Sequence, residues 1–258
     1  MKLAIGAVLT FFAVALAGQR AERITRLIAS GQPAPDRFQG AWARLRAELV
    51  EVFGQRKLLK RPIPGLAHFF TFWAFVILLT TIVEAYGELF TETFALPLVG
   101  HSPVLGFLQD LIAVAVLASL VAFAVIRVRE SPARLGRASR FYGSHTGQAW
   151  VILGMIALVI ITLLLYRGAR AARGTFPYDG WAFASTAVGR ALDGVSPSAL
   201  RVLNDGFLLA HLAVVLGFLV LVMYSKHLHI FTAPFNVAFS RRPKALGPLP
   251  PPGSTPRR

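Results

Sequence analysis

Four stretches of about twenty residues each, Gly65 to Tyr86, Val104 to Ile126, Ala149 to Tyr166 and Phe207 to Tyr224, run almost without a formal charge. A hydrocarbon layer about 30 Å thick offers the backbone no partner. A segment that crosses it must therefore close its own hydrogen bonds as a helix, and roughly 20 apolar residues suffice. A shorter run, Leu3 to Ala17, makes a fifth candidate. The chain is 55% hydrophobic and only 15% charged, which sets it apart from soluble globular proteins. These features predict an all-α integral membrane bundle of five transmembrane helices, near residues 3–18, 65–86, 104–126, 149–166 and 207–226. The bundle would form one domain, residues 1–236, with a Pro-rich tail over 237–258 and no internal repeat.

The connections set the orientation. Ten Lys and Arg residues lie between Arg20 and Arg61 and five arginines between Arg127 and Arg140, whereas Gly87 to Pro103 has none. Positive-inside bias puts the N-terminus outside and the C-terminus in the cytoplasm, in a multi-pass protein of the cell (inner or plasma) membrane. The stretch from Arg167 to Leu203, expected outside, breaks the pattern with five arginines. Residues 1–17 have a rival reading as a cleaved signal, because Ala15-Leu16-Ala17 precedes Gly18; the anchor reading agrees better with the basic loop that follows.

The net charge of +15 lies at span ends and in the tail. There it orients the chain and meets anionic headgroups, and no aromatic-interleaved nucleic-acid platform accompanies it. Phe38, Trp42, Leu45, Leu49 and Val52 recur at helical spacing, with Arg44, Arg46, Glu48 and Glu51 off that stripe. This predicts an amphipathic helix lying on the membrane surface, or a docking platform for a soluble partner. The absence of cysteine rules out a cysteine-ligated iron-sulfur cluster within these residues. Hydrolase and phosphate-loop motifs are also absent.

The remaining chemistry is histidine: His68, His101, His145, His211, His227 and His229. An ionisable group within a span is costly, and His211 is therefore a functional candidate. His211 and His229 are eighteen residues apart, five turns of a continuous helix, which predicts one shared face and a separation of roughly 27 Å. His68, at the start of the second span, shares the depth of His229. A porphyrin iron held between two helices needs two imidazoles at one level. His227 should point away from the His211 and His229 face, and His145 is a second candidate for the inner site.

With these residues in view, a resemblance emerges. Tyr224-Ser225-Lys226-His227-Leu228-His229-Ile230-Phe231, with His211 and His68, resembles the five-span cytochrome b gamma subunit of respiratory nitrate reductases and the membrane cytochromes of heterodisulfide-reductase-like proteins. Lys57-Leu58-Leu59-Lys60-Arg61-Pro62, Gly65-Leu66-Ala67-His68-Phe69-Phe70 and Phe141-Tyr142-Gly143-Ser144-His145-Thr146-Gly147 are similar to the membrane half of actinobacterial iron-sulfur reductases, which link electron-transferring flavoprotein to menaquinone. The resemblance implies axial ligation of haem b by His68 and His229. The position matching the family's next second-span histidine is Leu78, so a second haem on His211 needs another partner, with His101 the candidate. In these relatives the chain continues into an iron-sulfur domain; here it runs into Pro-rich residues, which implies a separate subunit or a fragment.

The reading that follows is a haem b membrane subunit relaying electrons between a cytoplasmic iron-sulfur or flavoprotein partner and the menaquinone pool. Asp110, Glu84, Tyr86 and Asp205 are candidates for a quinone site, as groups able to bond or protonate the ring. The competing reading is a non-redox membrane adaptor for a cytoplasmic partner. A transporter is disfavoured, because the sequence shows neither paired glycine and proline breaks nor a buried charge cluster.

Overall fold

The computed structural model describes residues 1–144 and 146–240. Ten α-helices account for most of them, and no strand occurs among the described residues. Five apolar helical stretches are long enough to cross a bilayer: α1 (Lys2–Ala29), α3 (Pro62–Ile77) with α4 (Leu79–Glu88), α5 (Pro103–Arg129), α7 (Thr146–Ala172) and α9 (Pro197–Met223). The protein is a multi-pass membrane protein. Short helices fill the connections: α2 (Ala41–Ala47), α6 (Pro132–Leu135), α8 (Phe183–Arg190) and α10 (His229–Ala238).

Helix starts follow local chemistry. Ser102 precedes Pro103 and Ser196 precedes Pro197, and each serine hydroxyl accepts from the backbone N–H three residues on. Proline at the first helical position loses only an N–H that would be unpaired there. α3 and α4 form one span interrupted at Leu78. The Thr80 and Thr81 hydroxyls donate to the carbonyls of Ile77 and Leu78 at 2.6 and 2.7 Å, and such back-bonding loosens the helical ladder.

The closed core lies among the second to fifth spans. Ala74, Leu78, Ala85, Ile112, Ala113, Val116, Leu120, Ile160, Leu163, Leu208 and Leu212 pack into one cluster with Tyr166. α3 lies on α5, α5 on α7 and α7 on α9, while α1 packs outside against α9. The buried residues of α1 are all small, Gly6, Ala13 and Ala17, as helix contacts in lipid favour. Its Phe11 and Phe12 face outward at 68% and 61% exposure, which suits hydrocarbon. Lys2 of α1 and Asp205 of α9 pair at 3.2 Å at one end of the bundle, called here the Met1 end. The other end carries α2, α10 and His229.

At the His229 end, Phe38, Trp42, Leu45 and Leu49 are exposed and Val52 is buried. The predicted stripe therefore faces outward, although the helix is shorter than expected and continues as a π-helical turn, Glu48–Phe53. Buried Arg44 donates to the carbonyls of Ala238 and Ser240 at 2.5 and 3.0 Å. A guanidinium on the last carbonyls of α10 satisfies groups that the helix leaves bare.

Candidate functional site

The His229 end brings together His68 and His229, the pair that the resemblance implies as axial ligands. His68, in the second turn of α3, and His229, first residue of α10, face one another with ring centres 6.4 Å apart and planes inclined by 36°. Two imidazoles bound to one iron from opposite sides, each nitrogen about 2 Å from the metal, place their ring centres roughly 6 to 6.5 Å apart. The observed spacing matches. His68 Nδ1 lies 2.9 Å from Gln55 Oε1, and His229 Nδ1 lies 3.3 Å from the Lys226 carbonyl. Both Nδ1 atoms thus donate to an oxygen and both Nε2 atoms keep a free lone pair, the arrangement that orients histidine ligands in metal sites. The donor set fits a bis-histidine haem.

Gln55 escaped the sequence reading. It is 2% exposed and has φ +47°, a left-handed conformation that residues other than glycine seldom adopt. Tertiary packing holds it there. Gly54 and Arg56 donate to the Leu49 and Val50 carbonyls at 2.9 and 3.2 Å, and the following 3₁₀ turn, Leu58–Lys60, sits on the first turn of α3. A Cβ on Gly65 would come within 2.2 Å of the Leu58 carbonyl oxygen, so only glycine permits this approach.

His229 does not lie on the helix of His211. α9 stops at Met223, and Ser225, whose hydroxyl accepts from the His227 N–H at 3.2 Å, starts a 3₁₀ turn before α10. The expected five uninterrupted turns and common face are therefore replaced by a break that swings His229 towards α3. His227 stacks obliquely on His229 at 5.8 Å. Burial, with His229 and Lys226 beside it, pushes its imidazole down to about 4, so it is neutral at physiological pH. His145 lies outside the described residues. His101 sits exposed in the turn before α5. His211 is 1% exposed, stacks on Tyr166 at 5.5 Å and places Nδ1 3.0 Å from the Thr162 hydroxyl. That hydroxyl donates to the Leu158 carbonyl at 2.8 Å, so His211 Nδ1 donates to it and Nε2 is the free acceptor.

The spans also hold a buried charge cluster, contrary to expectation. α7 continues past Tyr166 to Ala172 and turns Arg167 and Arg170 inward, at 1% and 0% exposure. They face an acidic column on α4. Arg167 pairs with Glu84 at 3.3 Å, Arg170 with Glu88 at 3.3 Å and, at the rim, Arg173 with Glu92 at 2.5 Å. These are rungs of a ladder: Glu84 and Glu88 on α4 and Arg167 and Arg170 on α7 have the i to i+4 and i to i+3 spacing of helix faces, and Glu92 and Arg173 lie in the turns that follow the two helices. Hydrogen bonding to Arg173 holds Glu92 below the usual carboxylate range. Two of the five arginines that broke the positive-inside pattern are thus bundle residues paired with acids, which leaves Arg173, Arg190 and Arg201 in that stretch.

Glu84 and Asp110, two of the quinone candidates, belong to this ladder. Arg167 also binds Asp110 at 3.4 Å, Gln109 at 2.9 Å and Ser185 at 3.0 Å; Ser185 in turn donates to Asp110 through its N–H and hydroxyl. The Tyr178 hydroxyl donates to Glu84. Burial and that carboxylate raise the phenol above its ordinary value, which keeps it a donor. A Cβ on Gly106 would meet Tyr178 at 2.7 Å, so glycine lets this ring reach across α5. Asp205 is instead a surface group bound to Lys2.

Tyr86 alone among the four opens to the lipid side. It lines an apolar groove of about 540 Å³ between α1 and α4, with Leu3, Ala7, Phe11, Val14 and Leu89. Thr10 Oγ1 donates to the Gly6 carbonyl at 2.7 Å and accepts from the Tyr86 hydroxyl at 2.7 Å, which leaves the tyrosine oxygen's lone pairs free.

Comparison with known proteins gives the site a context. Over 202 residues the chain is 28% identical to a probable iron-sulfur-binding oxidoreductase, FadF, of Bacillus subtilis (strain 168), covering 78% of this chain and 28% of that protein. Over 214 residues it is 24% identical to an EtfAB:quinone oxidoreductase of Syntrophomonas wolfei, covering 76% of this chain and again 28% of the relative. The chain thus spans little more than a quarter of the length of each relative. No family model matches it. No solved structure matches it either.

Proposed function

We propose that the chain is the haem b-carrying membrane part of a quinone-linked oxidoreductase, relaying electrons between a cytoplasmic iron-sulfur or flavoprotein partner and the menaquinone pool. The observation that carries this reading is the His68 and His229 pair, 6.4 Å apart, with both Nδ1 atoms engaged and both Nε2 atoms free. Likeness to two larger oxidoreductases, one of them quinone-linked by name, supports it. Bound between these rings, haem would supply one-electron transfer at its iron.

The chain's own residues would do the rest. Gln55 and the Lys226 carbonyl hold the imidazoles in the ligating tautomer. Cysteine is absent, so a cysteine-held cluster must come from a partner region. The positive-inside orientation puts that partner on the side of the basic loops, next to the histidine pair. At the Met1 end, the Tyr86 and Thr10 hydroxyls in the lipid-facing groove are the accessible polar atoms for a quinone head, since Glu84 and Asp110 are sealed within the ladder.

A reduced-minus-oxidised absorption spectrum of the purified protein, with haem quantification, tests this. A low-spin b-type spectrum that is lost in His68→Ala and His229→Ala and kept in His211→Ala is the expected result. A flat spectrum from protein made with ample haem leaves the alternative, a non-redox adaptor that holds a cytoplasmic partner on the apolar platform of Phe38, Trp42, Leu45 and Leu49.

A further inference from the structure

Two neighbouring rungs of the buried ladder differ in how far they are satisfied. All three nitrogens of Arg167 and both oxygens of Glu84 have hydrogen-bond partners. At the next rung, Arg170 Nε and Nη1, Glu88 Oε2 and Asn204 Oδ1 have none; Arg170 Nε and Glu88 Oε2 approach to 3.3 Å without the alignment a hydrogen bond needs. Tyr166 Oη and His211 Nε2 are bare as well. All five side chains are at most 1% exposed.

These atoms fall in one seam. Tyr166 and Arg170 lie one turn apart on α7, and Asn204 and His211 two turns apart on α9, so each pair shares a helix face. The faces meet: Tyr166 stacks on His211 at 5.5 Å, while Arg170 pairs with Glu88, whose other oxygen accepts from Asn204 at 2.6 Å. Lys2 of α1 and Arg173, just past the end of α7, are close enough for their charges to act on Glu88, and Glu84 lies one turn away on its own helix. At the Met1 end above these residues lies the Lys2 and Asp205 pair, whose aspartate follows Asn204 on α9 and is 45% exposed. Buried polar atoms without a protein partner are ordinarily bridged by ordered water, and a file of water between titratable groups conducts protons.

We propose that this seam is a hydrated proton pathway, opening at the Lys2 and Asp205 pair and leading past Glu88 to His211, with Glu88 as the proton-carrying carboxyl. Glu88 takes a proton from a water on its Met1 side, which regains one from bulk solvent, and becomes a carboxylic acid; it passes its proton to the next water, which hands one on in turn, and the carboxylate is restored. The Tyr166 hydroxyl passes a proton on by giving one and receiving one, and His211 Nε2, its lone pair free, is the last acceptor. The pathway's use rests on the redox reading of the proposed function, because a proton taken up at His211 balances the charge of an electron entering the bundle.

Radiolytic hydroxyl-radical footprinting of the whole purified protein reads bound water directly. Tyr166, fully buried, should be oxidised severalfold faster than Tyr178, which is slightly more exposed but set against the saturated rung. Equal protection of the two tyrosines would show a dry seam and overturn the proposal. Infrared pH titration supplies the proton: a carboxylic C=O band should titrate in the wild type, vanish in Glu88→Gln and persist in Asp110→Asn. A band that survives Glu88→Gln overturns the role given to Glu88. Should Glu88→Gln fail to fold, Asn204→Leu blocks the same seam and should abolish Tyr166 oxidation; unchanged oxidation counts against the pathway. Neither readout needs haem or quinone. A dry seam therefore leaves the redox reading standing, and a flat haem spectrum with a wet seam removes the redox reading alone.

Discussion

At the scale of single residues, Gln55 is where the structure adds most to the candidate haem site. Its backbone is held at φ +47°, and such strain, on the order of 1–3 kcal/mol, persists only where the surroundings impose it. Gln55→Gly separates strain from bonding. It should fold at least as stably as the wild type in thermal melts, yet shift the haem midpoint potential as Gln55→Leu does. Gln55→Glu should move the potential in the opposite, lower direction, since an anionic acceptor makes the His68 imidazole a stronger donor to iron; redox titration distinguishes the three. Nothing in the sequence marks Gln55. Its conformation comes from the π-helical turn before it and the 3₁₀ turn after it, contacts that a reading of periodicity does not contain. That His68 and His229 would come together was legible for the opposite reason: one stands at the start of the second span and the other after the fifth, at one depth.

At the scale of elements, apolar length made the five spans legible, but helix ends were less so. α7 runs six residues past Tyr166, because Arg167 and Arg170 are neutralised by acids of α4 and α5. A hydropathy window sees only their charge. The signal was present in the sequence as two columns at helical spacing, Glu84, Glu88 and Glu92 against Arg167, Arg170 and Arg173. Removing one side leaves buried charge uncompensated, so Arg167→Met should cost about 3–5 kcal/mol of stability, read as loss of folded protein in detergent melts. Replacing Glu84 and Asp110 by Gln and Asn in that background should recover part of it. The end of α9 carries a second expectation. The helical extrapolation from His211 to His229 failed at Ser225, whose hydroxyl starts the 3₁₀ turn. Ser225→Ala with Lys226→Ala favours a continued helix and should draw His229 away from His68, lowering haem occupancy while melts stay within about 1 kcal/mol of wild type.

At the scale of the whole molecule, the orientation can be tested without background, because the chain has no cysteine. Single cysteines at Gly194 and Gly136, where open space offsets the modest strain a side chain meets at positive φ, mark opposite ends of the bundle. Gly194→Cys should react with a membrane-impermeant maleimide in intact cells, and Gly136→Cys only after permeabilisation; the reverse pattern would invert the topology. The ladder has a further consequence for how the protein is made. Glu84 and Arg167 are 83 residues apart in the chain. At roughly 5–20 residues per second, the ribosome delivers the acids of the second span several seconds before their basic partners in the fourth. During that interval the second span carries uncompensated carboxylates and has no stable place in lipid. Until Arg167 and Arg170 arrive, Glu84 and Glu88 are expected to be protonated or held at the membrane surface, and the second span is expected to settle into place together with the fourth.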